Sequence, residues 1–177
     1  MRFSLSSGAA LLLATASLTC AVPTPKSKLS AEDMVNIRDT ISEYAFTVDS
    51  QALDGLANVF TADVKYALPG AVLNGIDAVK GAFGAALRGK KSQHAMSSTT
   101  INSNAPNTAT SKSYFTATFF GVEPDAAVAH GVYDDKWVKD QMNWLISERT
   151  LTYIVRRTAP LTVPPRERLT KLLSYRV

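Results

Sequence analysis

Apolar residues recur at helical spacing over the first part of the chain and alternate with polar ones over the rest. Met34, Ile37, Ile41, Tyr44 and Val48, with Ala45 beside them, form one stripe behind Ser30, Glu32 and Asp33. A capping serine, acids in the first turn and a period near 3.6 predict an amphipathic helix of about 18 residues, ending near Asp49 and Ser50. Leu53, Leu56, Ala57 and Phe60 predict a second helix that Gly55 weakens and that ends at residues 61–63. Ile76, Val79, Phe83 and Leu87 predict a third. Between these two, Val64 to Leu68 reads as a strand, Pro69-Gly70 as a turn, Val72-Leu73 as an edge piece and Asn74-Gly75 as a second turn. From Gln93 onward the pattern changes period. A polar β-type run to Ile101, a turn around Pro106, a long run from Thr108 to Gly121, a run carrying His130 to Trp137 and a last run from Trp144 to Tyr153 predict four strands. Helices first and antiparallel strands afterwards make an α+β chain. A curved antiparallel sheet covered by N-terminal helices encloses a cone, and an apolar pocket at its open end is the natural site.

The two ends lie outside this unit. Arg2 followed by an apolar stretch from Ala9 to Leu18 and the small residues around Cys20 read as a cleavable secretory leader over residues 1–21. Residues 22–29 read as a linker, 30–155 as the domain and 156–177 as a basic extension broken by Pro160, Pro164 and Pro165. Within that extension, residues 166–174 read as a short helix that covers the cone mouth or packs at a dimer edge, the alternative being a frayed basic tail. The lone cysteine, Cys20, falls in the leader, so a secreted chain without disulfides is expected, held by its core alone. Net charge is +4, with six of the nineteen basic residues at or beyond Arg156. A basic tail without a basic, aromatic-interleaved face argues against a nucleic-acid partner. Beyond the leader no apolar run is long enough to span a bilayer, so stable membrane insertion is not expected.

The chemistry on offer is sparse. His94 and His130 are the only histidines, 36 positions apart and without an H-x-x-x-H pair, so no metal site is expected. There is no phosphate loop, dinucleotide fingerprint or nucleophile elbow, and no cofactor is expected. The remaining candidates are Asp49 at a helix end, Tyr66, Tyr114, Tyr133 and Asp135. Each also has a structural reading: Asp49 as a cap at a helix corner, His94 as a surface residue, Tyr66 and Tyr114 as core aromatics, Asp135 as a strand-end acid. Alternation separates Gly131, Tyr133, Asp135 and Trp137 from His130, Val132 and Asp134.

The order Ile41-x-x-Tyr44 then Asp49, Leu56-x-x-x-Phe60-Thr61-x-Asp63-Val64, Gly75-x-x-Ala78-Val79, His94, Gly131-x-Tyr133-x-Asp135 and Trp144-x-Ile146-x-x-Arg149 resembles the SnoaL-like domains of the nuclear-transport-factor-2-like superfamily. The resemblance spans Glu32 to Tyr153 and implies a cone-shaped, cystatin-like roll. Its relatives include polyketide cyclases, scytalone dehydratase and steroid isomerases, alongside binding modules without activity. It implies that His94 is the general base, with Asp49 beside it orienting the imidazole and steadying the charge that forms. It turns the Gly131 and Tyr133 face toward the pocket and ranks Tyr133 above His130 for ligand contact. Two positions depart from the dehydratase pattern: Val48 stands where those relatives carry a tyrosine, and Tyr114 where they carry a second histidine. The implied function is cofactor-free cyclisation, isomerisation or dehydration of a polyketide- or terpenoid-like molecule. The alternative is a module of the same fold that only binds an apolar small molecule. The resemblance also implies a homodimer or trimer formed on the outer sheet face, to which Phe115, Phe119 and Val128 are expected to supply apolar area.

Overall fold

A computed structural model describes residues 29–122 and 125–159. The leader, most of the linker and the extension from residue 160, with its candidate short helix, lie outside the described residues. The chain opens with helix α1, Ala31–Ser50. Ser30 caps it through a reciprocal pair: its hydroxyl accepts from the Asp33 backbone N–H, and the Asp33 carboxylate accepts from the Ser30 N–H. Ile37, Ile41, Tyr44 and Val48 bury the predicted stripe, while Met34 stays 39% exposed in the first turn. Gln51 ends the helix in a left-handed conformation.

The predicted second helix is only a single 3-10 segment, Leu53–Asn58, and Phe60 already belongs to a strand. The sequence contains the reason. Leu53, Leu56 and Val59 recur every three residues, the period of a 3-10 turn, and Leu56 and Val59 are fully buried by it. Strand β1 runs Phe60–Leu68, turns at Gly70 and returns as the short β2, Ala71–Asn74. Helix α2 follows, Ile76–Leu87. Four long strands complete the chain: β3 Lys91–Ala105, β4 Thr108–Val122, β5 Asp125–Asp140 and β6 Asn143–Ala159. The last run therefore extends past Tyr153 and takes the start of the expected basic extension into the sheet.

The strands lie in the order β2-β1-β6-β5-β4-β3. The α+β roll is as expected, with one difference of topology. β1 pairs with β6 in parallel while every other pair is antiparallel, so the sheet is mixed, and it is curved but not closed into a barrel. The chain reaches β6 from β1 through β2, α2 and strands β3 to β5, which lets β6 lie beside β1 in the same direction.

The concave face is dense with aromatics from both layers. Phe60, Tyr66, Tyr133, Trp137 and Trp144 are all nearly or fully buried against α1. Phe115 is buried on this same face and stacks on Tyr133 with ring centroids 4.3 Å apart. Phe119 also turns inward, edge-on to His94. These two residues therefore do not supply the outer apolar surface assigned to them. Alternation places Tyr114 and Phe120 there instead; Ile154 and Val155, at an irregularity in the β5–β6 register, are exposed as well, and Val128 is partly exposed.

Candidate functional site

Among the described residues, a cavity of about 200 Å³ lies between α1, α2 and the concave sheet face. Its deep end is made by the buried Tyr44, Tyr66 and Tyr133. Phe83, Phe119 and Leu151 form walls, and toward the mouth the lining passes to Leu68, Ala86 and Tyr153.

His94 is one of the walls. It sits early in β3, opposite Ala117 of β4, and its side chain is only 5% exposed. Asp49, in the last turn of α1, meets it across the layer. The carboxylate accepts from His94 Nδ1 at 2.6 Å, from the His94 backbone N–H at 2.6 Å and from the Ser92 hydroxyl at 2.7 Å. Asp49 therefore does not cap the next helical segment. It fastens the end of α1 to β3 and orients one side chain. Because a carboxylate only accepts, neutral His94 carries its proton on Nδ1 and its lone pair on Nε2. Nε2 has no hydrogen-bond partner among the described residues, on a ring that lines the cavity. The dyad is thus a base with a fixed tautomer and a free nitrogen.

A second cluster faces it. The Tyr44 hydroxyl lies 3.1 Å from that of Tyr133 and 3.4 Å from that of Tyr66. Two contacts among three hydroxyls use two protons and leave the third to donate elsewhere. Burial, reinforced by the neighbouring Tyr44, holds the Tyr66 and Tyr133 hydroxyls well above the ordinary phenol value, so both stay protonated donors. The Tyr44 ring is edge-on to His94, with centroids 6.1 Å apart, which places base and donors around one space. Val48 contributes only apolar wall, as expected, but Tyr44 one turn earlier on the same helix face supplies a hydroxyl to the cavity.

Beneath the tyrosines lies a fully buried ion pair. Arg149 donates from Nε and Nη2 to the two oxygens of Asp135 at 2.7 and 2.9 Å. Its guanidinium carbon is 4.2 Å from the Tyr133 ring centre and 4.3 Å from that of Tyr44, so both rings are clasped around a cation. Burial alone would push the guanidinium down; the Asp135 carboxylate and its hydrogen bonds overcome this and hold it above its ordinary value. Asp135 also accepts from Ser111, whose oxygen accepts from Trp137. The structural reading of Asp135 fits this geometry, and its partner Arg149 was legible only as a position in the motif order.

Tyr66 and Tyr133 thus join His94 and Asp49 in one place. Tyr114 and His130 do not. Tyr114 is 51% exposed on the outer sheet face, because the alternation that buries Ser113 and Phe115 turns it outward. His130 is exposed and pairs with the Thr116 hydroxyl at 3.1 Å on that same face. Neither lines the cavity, so the ligand contacts assigned to them are withdrawn.

Comparison with known proteins agrees with this architecture. A solved structure of Kfla4162 from Kribbella flavida superposes with a TM-score of 0.66 at 19% identity, covering 71% of this chain and 93% of that one. A protein provisionally assigned as a scytalone dehydratase from Novosphingobium aromaticivorans gives 0.63 at 23%, covering 74% and 94%. The hexachlorocyclohexane dehydrochlorinase LinA type 2 gives 0.66 at 15%, covering 75% and 93%. At such identities these likenesses establish the fold. A search of curated proteins finds no match. The family model of the SnoaL-like domain matches residues 29–150, more than half of the sequence. The chain belongs to the SnoaL-like domain family.

Proposed function

We propose that this protein is a cofactor-free enzyme that abstracts a proton next to a carbonyl of a polyketide- or terpenoid-like small molecule. The observation that carries this reading is the His94–Asp49 dyad, whose free nitrogen faces a cavity with hydroxyl donors at its deep end. His94 Nε2 takes the proton; the C–H electron pair moves through the α-carbon onto the carbonyl oxygen. Asp49 faces the imidazolium that forms. The spare tyrosine proton donates to the enolate oxygen, and a donor already aimed at developing charge lowers the barrier without reorganisation. The imidazolium then returns the proton. Delivered to a β-hydroxyl, it releases water; delivered to a distant carbon of the enolate, it shifts the double bond. Attack of the enolate carbon on a second carbonyl gives cyclisation instead. Small-molecule chemistry of this cofactor-free kind is in keeping with the dehydratase and dehydrochlorinase names among the structural neighbours.

The test is kcat/KM against pH for wild type, His94→Gln and Asp49→Asn on a panel of enolisable ketones. A positioned base contributes roughly 10²–10⁴-fold. His94→Gln is expected to lose at least a hundredfold. Asp49→Asn is expected to lose somewhat less, because the imidazole keeps its place but not its fixed tautomer. Full activity of His94→Gln from pH 5 to 9 would refute the assignment. Saturable binding without turnover in wild type would support the alternative reading, a binding module.

A further inference from the structure

We infer that the substrate is a single-ring compound carrying an anionic group, with the ring in the cavity and the anion held at the mouth by Arg156. This deepens the proposed acid–base reading and rests on it. The size limit comes first. A cavity of about 200 Å³ is small for a ligand site, since such pockets commonly run from about 300 Å³ upward. A dry apolar cavity of about 150 Å³ takes up benzene. One six-membered ring with short substituents therefore matches the space between His94 and the tyrosines, and a second fused ring has to extend out toward the mouth.

The charge comes from a slip in strand register. Leu151 and Tyr153 of β6 pair with Tyr133 and Gly131 of β5, and all four belong to the concave face. Simple alternation would next place Val155 on that face. Instead His130 pairs with Val155 and Gly131 with Tyr153, so Ile154 is an extra residue on β6 and stands 61% exposed. Beyond this bulge, Val155 shares the outer face with His130, and Arg156 pairs with the buried Ala129 on the inner side. Bulges re-aim side chains in this way, often beside active sites. Here the re-aimed residue is a cation. The Arg156 guanidinium carbon lies 4.6 Å from the ring centre of Tyr153, which lines the cavity, while the residue itself stays exposed. A second cation reaches a lining residue: Lys90 Nζ donates to the carbonyl of Ala86 at 2.9 Å. The site is therefore apolar along its walls, protic at its deep end and cationic at its entrance. A carboxylate pairs with a guanidinium in bidentate fashion, which selects an oriented anion over a neutral group.

The experiment uses phenols as stand-ins for the enol, with the full chain in low-salt buffer and calorimetric titration. The probes are 4-hydroxyphenylacetate, its neutral amide and the two-ring acid 6-hydroxy-2-naphthylacetate. Wild type is expected to bind the one-ring acid at least tenfold more tightly than the amide. Arg156→Gln is expected to abolish that preference while leaving the amide Kd within twofold, and Arg156→Lys to keep part of it. The two-ring acid is expected to bind at least tenfold more weakly than the one-ring acid. Equal binding of acid and amide, or a preference that survives Arg156→Gln, overturns the anion assignment. Equal binding of the one- and two-ring acids overturns the size limit, and failure of both one-ring probes to bind overturns both. These outcomes leave the dyad reading standing, since that reading stands or falls on the His94→Gln rate profile.

Discussion

Replacing Asp135 by Asn is the perturbation that the buried ion pair makes most informative. Both side chains of the pair are wholly buried, and the arginine lies between two tyrosine rings. The amide keeps the shape and one acceptor oxygen, but it presents an N–H to the second donor of Arg149 and removes the only countercharge beside it among the described residues. Arginine cannot shed its proton to escape. Removing one partner of a buried pair costs about 3–5 kcal/mol. At about 2–4 °C per kcal/mol for a chain of this size, the melting temperature should fall by roughly 6–20 °C. Urea unfolding of wild type and Asp135→Asn, extrapolated linearly to water, measures the difference directly. The double variant Asp135→Leu/Arg149→Met is the control. Replacing a buried pair with apolar groups of similar volume is often neutral or stabilising, so the double variant should be more stable than Asp135→Asn. Asp135→Asn within about 1 kcal/mol of wild type would refute the reasoning, because the guanidinium could not then be as isolated from water as the geometry requires.

Other consequences are more local. Gly131→Ala places a methyl 2.5 Å from the Thr152 carbonyl oxygen and 2.6 Å from the Phe115 ring, which itself stacks on Tyr133. It should cost about 1–3 kcal/mol in urea unfolding and lower turnover, whereas Gly81→Ala, inside α2 with open space around it, should gain about 0.5–1 kcal/mol. The Asp33 carboxyl is held well below its ordinary range by Lys139, then by Trp144 and Ser30. A depressed carboxylate adds stability that is fully present above its unfolded value and is lost as pH falls through the folded one. The stability gap between wild type and Asp33→Asn, read from urea midpoints, should therefore be constant from pH 7 to about 5 and shrink below about pH 4; a gap unchanged at pH 2.5 would contradict this. We also propose that residues 1–21 are removed during secretion; the intact mass of protein recovered from the native host's medium should lack them, and a mass that retains them would reject the leader.

Two simple periods made most of the fold legible. A 3.6-residue stripe located α1 to within a residue or two at each end, because Ser30 and Asp33 cap it and, apart from Thr47, its buried positions are apolar. A period of two located the long strands and correctly separated the Tyr133 face from the His130 face. The second helix is ambiguous in sequence because Leu53 and Leu56 satisfy a helical and a 3-10 spacing equally; only Val59, one further step of three, distinguishes them. The parallel β1–β6 pair left no local trace, since strand direction in a sheet follows from the path of the whole chain.

The site was legible where chemistry is carried by scarce residue types and obscure where it depends on register. Two histidines and one helix-end aspartate leave few ways to build a base, and the dyad of His94 and Asp49 is what the layers bring together. Tyrosines are less informative, since a hydroxyl on an apolar face reads equally as core. Tyr44 reads in sequence as part of a buried stripe and of the motif order, with no role in the site, yet its oxygen joins those of Tyr66 and Tyr133. Tyr114 fails by a single position: its neighbours Ser113 and Phe115 face inward. Arg156 shows the same sensitivity in the opposite direction. In sequence it begins a basic tail, and by alternation from Tyr153 it would face outward. One inserted residue, Ile154, reverses that parity and sets the cation against a cavity-wall tyrosine. A one-residue slip exchanges the two faces of a strand, so charge at this mouth is decided by a bulge rather than by composition.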